Sequence, residues 1–248
     1  MRFLRDERGV PVSLELRKLV AKPTDSPKLY LSAADMEKLA TAMLPANLVP
    51  VRDVFLFCCY TGLRYSDVEA LYPGNLHEWD GGRLLRLVQS RTRAGVSIYL
   101  TAAASAIIDN YTGERERLLP VQAKVQTNQV VNRYLKRVAK MAGLTGAVDL
   151  LSTGNGSLTR SAVPQCELVT MHTARHTFAT QSLLRGMPVE VLQKILGHKK
   201  IQTTLIYAKI VEDFQHHTIR RIWEGQGGAT DSAGARTSQI CAVEPSAA

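Results

Sequence analysis

The sequence has no run approaching 18 consecutive apolar residues and no apolar core in its opening MRFLRDERG, so neither a membrane-spanning helix nor a secretory leader is expected. A cytoplasmic location follows. Cysteine is scarce: Cys58, Cys59, Cys166 and Cys241 show no metal-ligand spacing, and the adjacent pair inside an apolar run reads as core thiols in a reducing compartment. There is no internal repeat, no P-loop, no GxGxxG and no zinc spacing, so no cofactor and no metal are expected. Acidic residues are missing altogether between Arg117 and Val148, and lysine is missing between Lys38 and Lys124. What is present is a core and an excess of positive charge. With 248 residues, 45% of them hydrophobic, the chain can bury one domain of roughly 150–200 residues with tails. The net charge of +9 points to a polyanionic partner, nucleic acid before membrane.

Taken in order, residues 1–31 are mixed and charged, with Pro11, Pro23 and Pro27 interrupting any long helix, and read as a linker or arm. Ser32-Ala-Ala-Asp35 has capping-box spacing and opens a helix whose buried stripe is expected to be Met36, Leu39 and Met43. A second helix from about Pro50 carries Val54, Phe55, Phe57, Cys58 and Cys59 and stops at Gly62, suited to a left-handed position. Arg64 follows at once, and Ser66 and Asp67 begin a short helix. From Arg83 to Leu100, RLLRLVQ and VSIYL alternate around the basic tip SRTRAG, which predicts a two-stranded antiparallel hairpin. Helices are expected over about 102–111 and 127–142. On the latter, Val131, Leu135, Val138 and Ala142 face inward, while Arg133, Lys136, Arg137 and Lys140 form an outer basic stripe suited to a phosphate backbone. Residues 144–168 read as a loop or ragged hairpin, Val211–Trp223 as a final helix, and the chain from Gly225 as a disordered tail. The class is mainly α with a small antiparallel β-hairpin or sheet.

One stretch, Thr170 to Ile210, gathers unusual polar groups. Thr170 can cap a helix, and His172 and Arg175 stand three apart on its first turn, near the N–H groups and dipole end that attract anions. Gly186-Met187-Pro188 separates this helix from the next, and Gly197 ends that one just before His198. A third short helix from about Gln202 places Tyr207 nine residues beyond His198. Singly, each of these is more often a cap or a core residue, and Arg64 is as well explained as a partner of Asp67. Jointly, two arginines, two histidines and a tyrosine form a set able to act on one phosphate.

The segments TGLRYSD (61–67), HTARH (172–176), LGHKKIQTT (196–204) and IYAKI (206–210) resemble, in order and separation, the boxes of tyrosine recombinases, the phage and mobile-element integrases. The resemblance runs from about Lys28 to Trp223. It implies that family's catalytic-domain fold over 32–224, with 1–31 as an arm remnant and 225–248 as tail. It implies Tyr207 as the nucleophile that forms a 3′-phosphotyrosyl bond with DNA, and Arg64 and Arg175 as holders of the non-bridging oxygens. His172 would assist proton removal from the tyrosine, His198 would contact the phosphate, and Asp67 and His176 would support the site. The partners implied are double-stranded DNA and three further copies of the chain, a homotetramer on paired sites and a monomer without DNA. Accessory DNA-bending proteins and a nucleoid association when bound to DNA go with that reading. Neither ATP nor a metal is needed, since the covalent bond stores the energy for rejoining.

Two positions depart from the pattern. Where the family places a lysine in the hairpin turn as general acid for the 5′ oxygen, this chain has Arg91, with Arg93 the poorer candidate. An arginine, with a pKa above about 12, stabilises charge but surrenders a proton poorly. Ahead of Ser32 stand 31 residues, too few for the family's core-binding domain. A catalytically impaired DNA-binding remnant or regulator is therefore the competing reading, and a type IB topoisomerase shares the chemistry.

Overall fold

The computed structural model describes residues 4–5, 11–12, 29–111, 117–120, 128–154 and 157–210. Two units separate: one holds residues 1–27 and 150–161, the other 28–149 and 162–248. In the first, β1 (Leu4–Arg5) pairs antiparallel with β2 (Pro11–Val12). The expected helix at Val211–Trp223 and the tail from Gly225 lie outside the described residues.

The larger unit is built around α2 (Val49–Thr61). Its sequence VPVRDVFLFCCYT is apolar on nearly every side, so it is covered all round. Val51, Val54, Phe55, Leu56, Phe57, Cys58 and Cys59 are all buried. Its one buried acid, Asp53, is satisfied by Arg52 Nε at 2.8 Å and by the Tyr111 hydroxyl at 2.6 Å. Around it pack α1 (Ala33–Thr41), α4 (Ala102–Asp109), α5 (Asn128–Met141) and α7 (Met171–Leu184). Ser32 caps α1 through the capping box with Asp35. Met43 is not part of the buried stripe: it is 94% exposed. The helix stops at Thr41 and Ala42 turns to an extended backbone, so helical spacing no longer governs the side chain two residues on.

The sheet has three antiparallel strands rather than two. Beside β4 (Gly82–Val88) and β5 (Gly95–Leu100) lies β3 (Leu76–Trp79), joined through the two-residue turn Asp80-Gly81. Both turn residues have positive φ, 47° and 69°, the mirror-image turn whose twist suits a hairpin. The stretch read as a loop or ragged hairpin is a hairpin of β6 (Ala147–Gly154) and β7 (Ser157–Pro164), followed by the single turn α6 (Gln165–Leu168). On α5, Val131, Leu135 and Val138 are buried as expected, and Ala142 packs against the same core just past the helix end. A smaller cluster joins α7 to α8 (Val189–Leu196) and α9 (Gln202–Ile210) through Ala179, Leu183, Leu192, Leu196 and Tyr207. The chain just before α1 is pinned to α7: Leu31 N–H donates to Thr177 Oγ1, and Gln181 Nε2 donates to the Leu31 carbonyl, both at 3.0 Å. Among the described residues no helix is long and apolar enough to cross a membrane.

Candidate active site

Three helix boundaries converge here. α2 ends at Gly62 with φ 70°, and a Cβ there would overlap the Phe178 ring of α7, so only glycine lets the two helices approach so closely. That turn exposes the Gly62 carbonyl and sends Arg64 to the start of α3 (Tyr65–Glu69). α8 ends at Gly197 with φ 63°, which turns the chain so that His198 follows directly. α7 supplies His172, Arg175 and His176 from its first two turns.

Arg175 is 1% exposed and is held on every side. Its Nη1 donates to the Gly62 carbonyl at 2.8 Å, and its Nη2 donates to the Leu196 carbonyl at 2.5 Å. The same Nη2 lies 2.9 Å from His198 Nε2. A guanidinium has no acceptor, so His198 Nε2 must be the acceptor and the ring proton must sit on Nδ1, 2.9 Å from Thr204 Oγ1. The ring is therefore neutral. Burial, with the charges of Arg175 and Arg64, holds its pKa down at about 4. Burial and the neighbouring Arg64 charge likewise lower Arg175, to about 10.

Arg64 Nη1 donates to Gln89 Oε1 at 2.8 Å and lies 3.8 Å from Asp67 Oδ2. Asp67 is buried; its Oδ1 accepts the Ser90 N–H at 2.9 Å, and its Oδ2 has no hydrogen-bond partner. Arg64 thus does pair with Asp67, but loosely, and its shortest bond goes elsewhere. Gln89 Nε2 donates to the Leu196 carbonyl at 3.1 Å, so the two guanidiniums meet on one oxygen, Arg175 directly and Arg64 through an amide. Arg91 and Arg93 are exposed on the β4–β5 turn, and Arg93 has φ 57°. Burial, and secondarily the Arg91 charge, lower the Arg64 pKa against the pull of Asp67. Arg91 therefore stands within electrostatic reach of the pair.

Tyr207 is 3% exposed, its ring parallel to that of His198 at 6.4 Å between centroids. Its hydroxyl lies 3.2 Å from His176 Nδ1. Burial raises the phenol pKa, opposed by Arg175 and Arg64. The histidine seen within hydrogen-bond distance of the phenol is His176, assigned a supporting place from the sequence. His172 is exposed and lies edge-on against the His176 ring at 4.4 Å. Positions 172 and 176 are i and i+4 on one face of α7, so what separates them is the position along the helix: 176 lies one turn further in, beside α9. The first turn of α7 is not an open anion cradle, because Met171 N–H donates to Asn132 Oδ1 and Thr173 N–H to the Thr170 carbonyl.

The site thus joins Arg64, Asp67, Arg175, His176, His198 and Tyr207, with His172 against the His176 ring and Arg91 on the neighbouring turn. The basic residues of α5 are a separate feature. Arg133, Arg137 and Lys140 are exposed, while Lys136 faces Glu167 Oε2 at 3.5 Å, an acid brought from another element. Gln89, Thr204 and the Gly62 and Leu196 carbonyls carried no sequence signal of their own. Among the described residues no group of three or more His, Cys, Asp or Glu side chains gathers as a metal site.

Comparison with known proteins matches this architecture. A tyrosine recombinase XerD of Bradyrhizobium diazoefficiens is 31% identical over 225 residues, covering 83% of this chain and 61% of that protein. A tyrosine recombinase XerD of Corynebacterium glutamicum is 34% identical over 126 residues, 46% of this chain and 39% of its own length. The chain therefore spans less than two thirds of each of these relatives. In fold it is similar to the Tn1549 transposon integrase solved in complex with transposon right end DNA, with a TM-score of 0.59 at 21% identity over 84% of this chain and 70% of that one. The model of the phage integrase family matches residues 30–216, three quarters of the sequence and all of the site, and the chain belongs to that family.

Proposed function

We propose that this chain carries the catalytic domain of a site-specific DNA strand transferase that breaks and rejoins strands through a 3′-phosphotyrosyl intermediate. The observation that carries the reading is the meeting of Arg64 and Arg175 on the Leu196 carbonyl, with a neutral imidazole and a phenol beside them. Two guanidinium forks at this spacing suit the two non-bridging oxygens of a phosphodiester, whose charge grows in the transition state. Tyr207 Oη attacks phosphorus; the new P–O bond replaces the bond to the 5′ oxygen, whose developing charge Arg91 stabilises and which takes its proton from water. The phenol proton goes to His176, the ring already 3.2 Å away. His198 is neutral at rest because of its burial and the two arginines. A phosphate between them would offset those charges, raise its pKa and let the ring donate a hydrogen bond. Since Tyr207 is 3% exposed, α9 must release it when DNA arrives. Exchange between two sites needs four cleavages, hence a homotetramer on DNA with a phenol from each protomer.

A second reading, an impaired DNA-binding regulator, is favoured by Arg91 in the turn and by the buried nucleophile. A nicked suicide duplex bearing the element's end sequence separates the two. The enzyme gives a protease-sensitive covalent adduct that is absent from Tyr207→Phe and strongly reduced in Arg64→Ala and Arg175→Ala. Filter binding without an adduct from the native chain establishes the regulator.

A further inference from the structure

Gln89 is fully buried, yet it is neither apolar nor charged, and no part of the proposed chemistry requires it. Both polar atoms of its side chain are engaged. Its Oε1 accepts from Arg64 Nη1 and from Thr92 Oγ1, both at 2.8 Å. Its Nε2 donates to the Leu196 carbonyl at 3.1 Å, and its backbone closes the β4–β5 turn through Gln89 N–H to the Ala94 carbonyl and Arg93 N–H to its own carbonyl. The amide orientation is unambiguous, since a guanidinium can only donate and a carbonyl can only accept. Leu196 is the last residue of α8, and its carbonyl would otherwise be an orphan of the helix end. Here it takes two donors, one from Gln89 and one from Arg175. Gly197 leaves the room: a Cβ at that position would overlap the Gln89 carboxamide.

We infer that Gln89 is a positioning residue, whose carboxamide holds the Arg64 guanidinium at a fixed offset from Arg175 across the Leu196 carbonyl and ties both to the turn bearing Arg91. The inference rests on the strand-transfer reading and adds to it the part that spaces the two arginines before DNA is present. The two cations repel each other, and the bridge places the negative end of a dipole against each of them. A neutral amide suits the task better than a carboxylate. Glutamate would pair with Arg64 as an ion, compete with the phosphate, and leave the Leu196 carbonyl without its second donor. Through Thr92 the same oxygen feels any shift of the turn, so a strand pressing on Arg91 and Arg93 moves Arg64 too.

The test uses Gln89→Met, which keeps the shape and removes the hydrogen bonds, on chain labelled with [15N]arginine. Native protein shows separate, slowly exchanging Arg64 Nη signals. In Gln89→Met these merge, while those of Arg175 stay resolved. Cleavage of the suicide duplex at saturating DNA falls by roughly tenfold to a hundredfold, the usual cost of about 1 Å of misplacement, with duplex affinity changed less than about threefold. The double variant Arg64→Ala/Gln89→Met cleaves no more slowly than Arg64→Ala. Arg64 signals unaltered by Gln89→Met, or losses that multiply in the double variant, overturn the inference. Should the methionine variant fail to fold, Gln89→Glu decides: Arg64 signals stay resolved while cleavage drops, and undiminished cleavage overturns it. If the native chain yields no adduct, the strand-transfer reading fails, and the nuclear magnetic resonance comparison still decides the role of Gln89.

Discussion

His198 shows how burial and two neighbouring arginines hold an imidazole neutral. Arg175 donates to its Nε2, so protonating the ring would set three positive charges side by side. The unfolded chain takes up that proton near pH 6.5, and the folded chain only near pH 4. Unfolding therefore binds a proton between those values: stability falls as pH drops from about 6.5 towards about 4, and this group has no effect on the slope above that window. Denaturant titrations across pH 4–7 should show this slope, shallower in His198→Asn; equal slopes would mean that the ring is already charged in the folded chain. Arg91 allows a second test. A general acid typically supplies a 100- to 10,000-fold rate gain, so Arg91→Lys should speed cleavage by up to that amount. An unchanged rate would mean that the leaving oxygen receives its proton from another group.

At the scale of elements, the glycine-terminated helices matter most. Gly197 combines a left-handed backbone with the space that the Gln89 carboxamide occupies. Gly197→Ala should therefore cost about 1–3 kcal/mol of stability and slow cleavage as well, read by thermal melting and by adduct formation. Loss of stability without loss of cleavage would uncouple the turn from the site. The same elements explain what was legible in the sequence. Gly62, Gly197 and Pro188 punctuate strong apolar runs, so α2, α7, α8 and α9 could be placed nearly to the residue, and with them Arg64, Arg175, His198 and Tyr207. Strand β3 was missed because Leu-His-Glu-Trp has no β-branched residue and buries no alternating face. The Asp80-Gly81 turn was its one available sign. Met43 was misplaced because periodicity does not announce where a helix stops. His176 was ranked below His172 because spacing gives the face of a helix but not which neighbour leans on it. Gln89 was invisible, as a single glutamine before a turn has no pattern.

Across the whole molecule, the net charge of +9 includes, among the described residues, the Arg64–Arg175 pair and the exposed basic residues of α5. Each phosphate contact released lowers the salt dependence of binding by about 0.9 in log–log slope. Arg137→Ala with Lys140→Ala should therefore reduce that slope by about 2, while Lys136→Ala, already partnered by Glu167, should change it by less than half a unit. Equal effects at all three positions would show that the Lys136–Glu167 pair does not persist in solution.

The most direct test of the phosphate site is mass spectrometry of the protein after incubation with a nicked duplex. The account predicts a proteolytic peptide spanning Thr203–Lys209 that carries a 3′-linked nucleotide on Tyr207, strongly reduced when Arg64 or Arg175 is alanine. A nucleotide found on any other residue, or an adduct that survives the loss of both arginines, would contradict it.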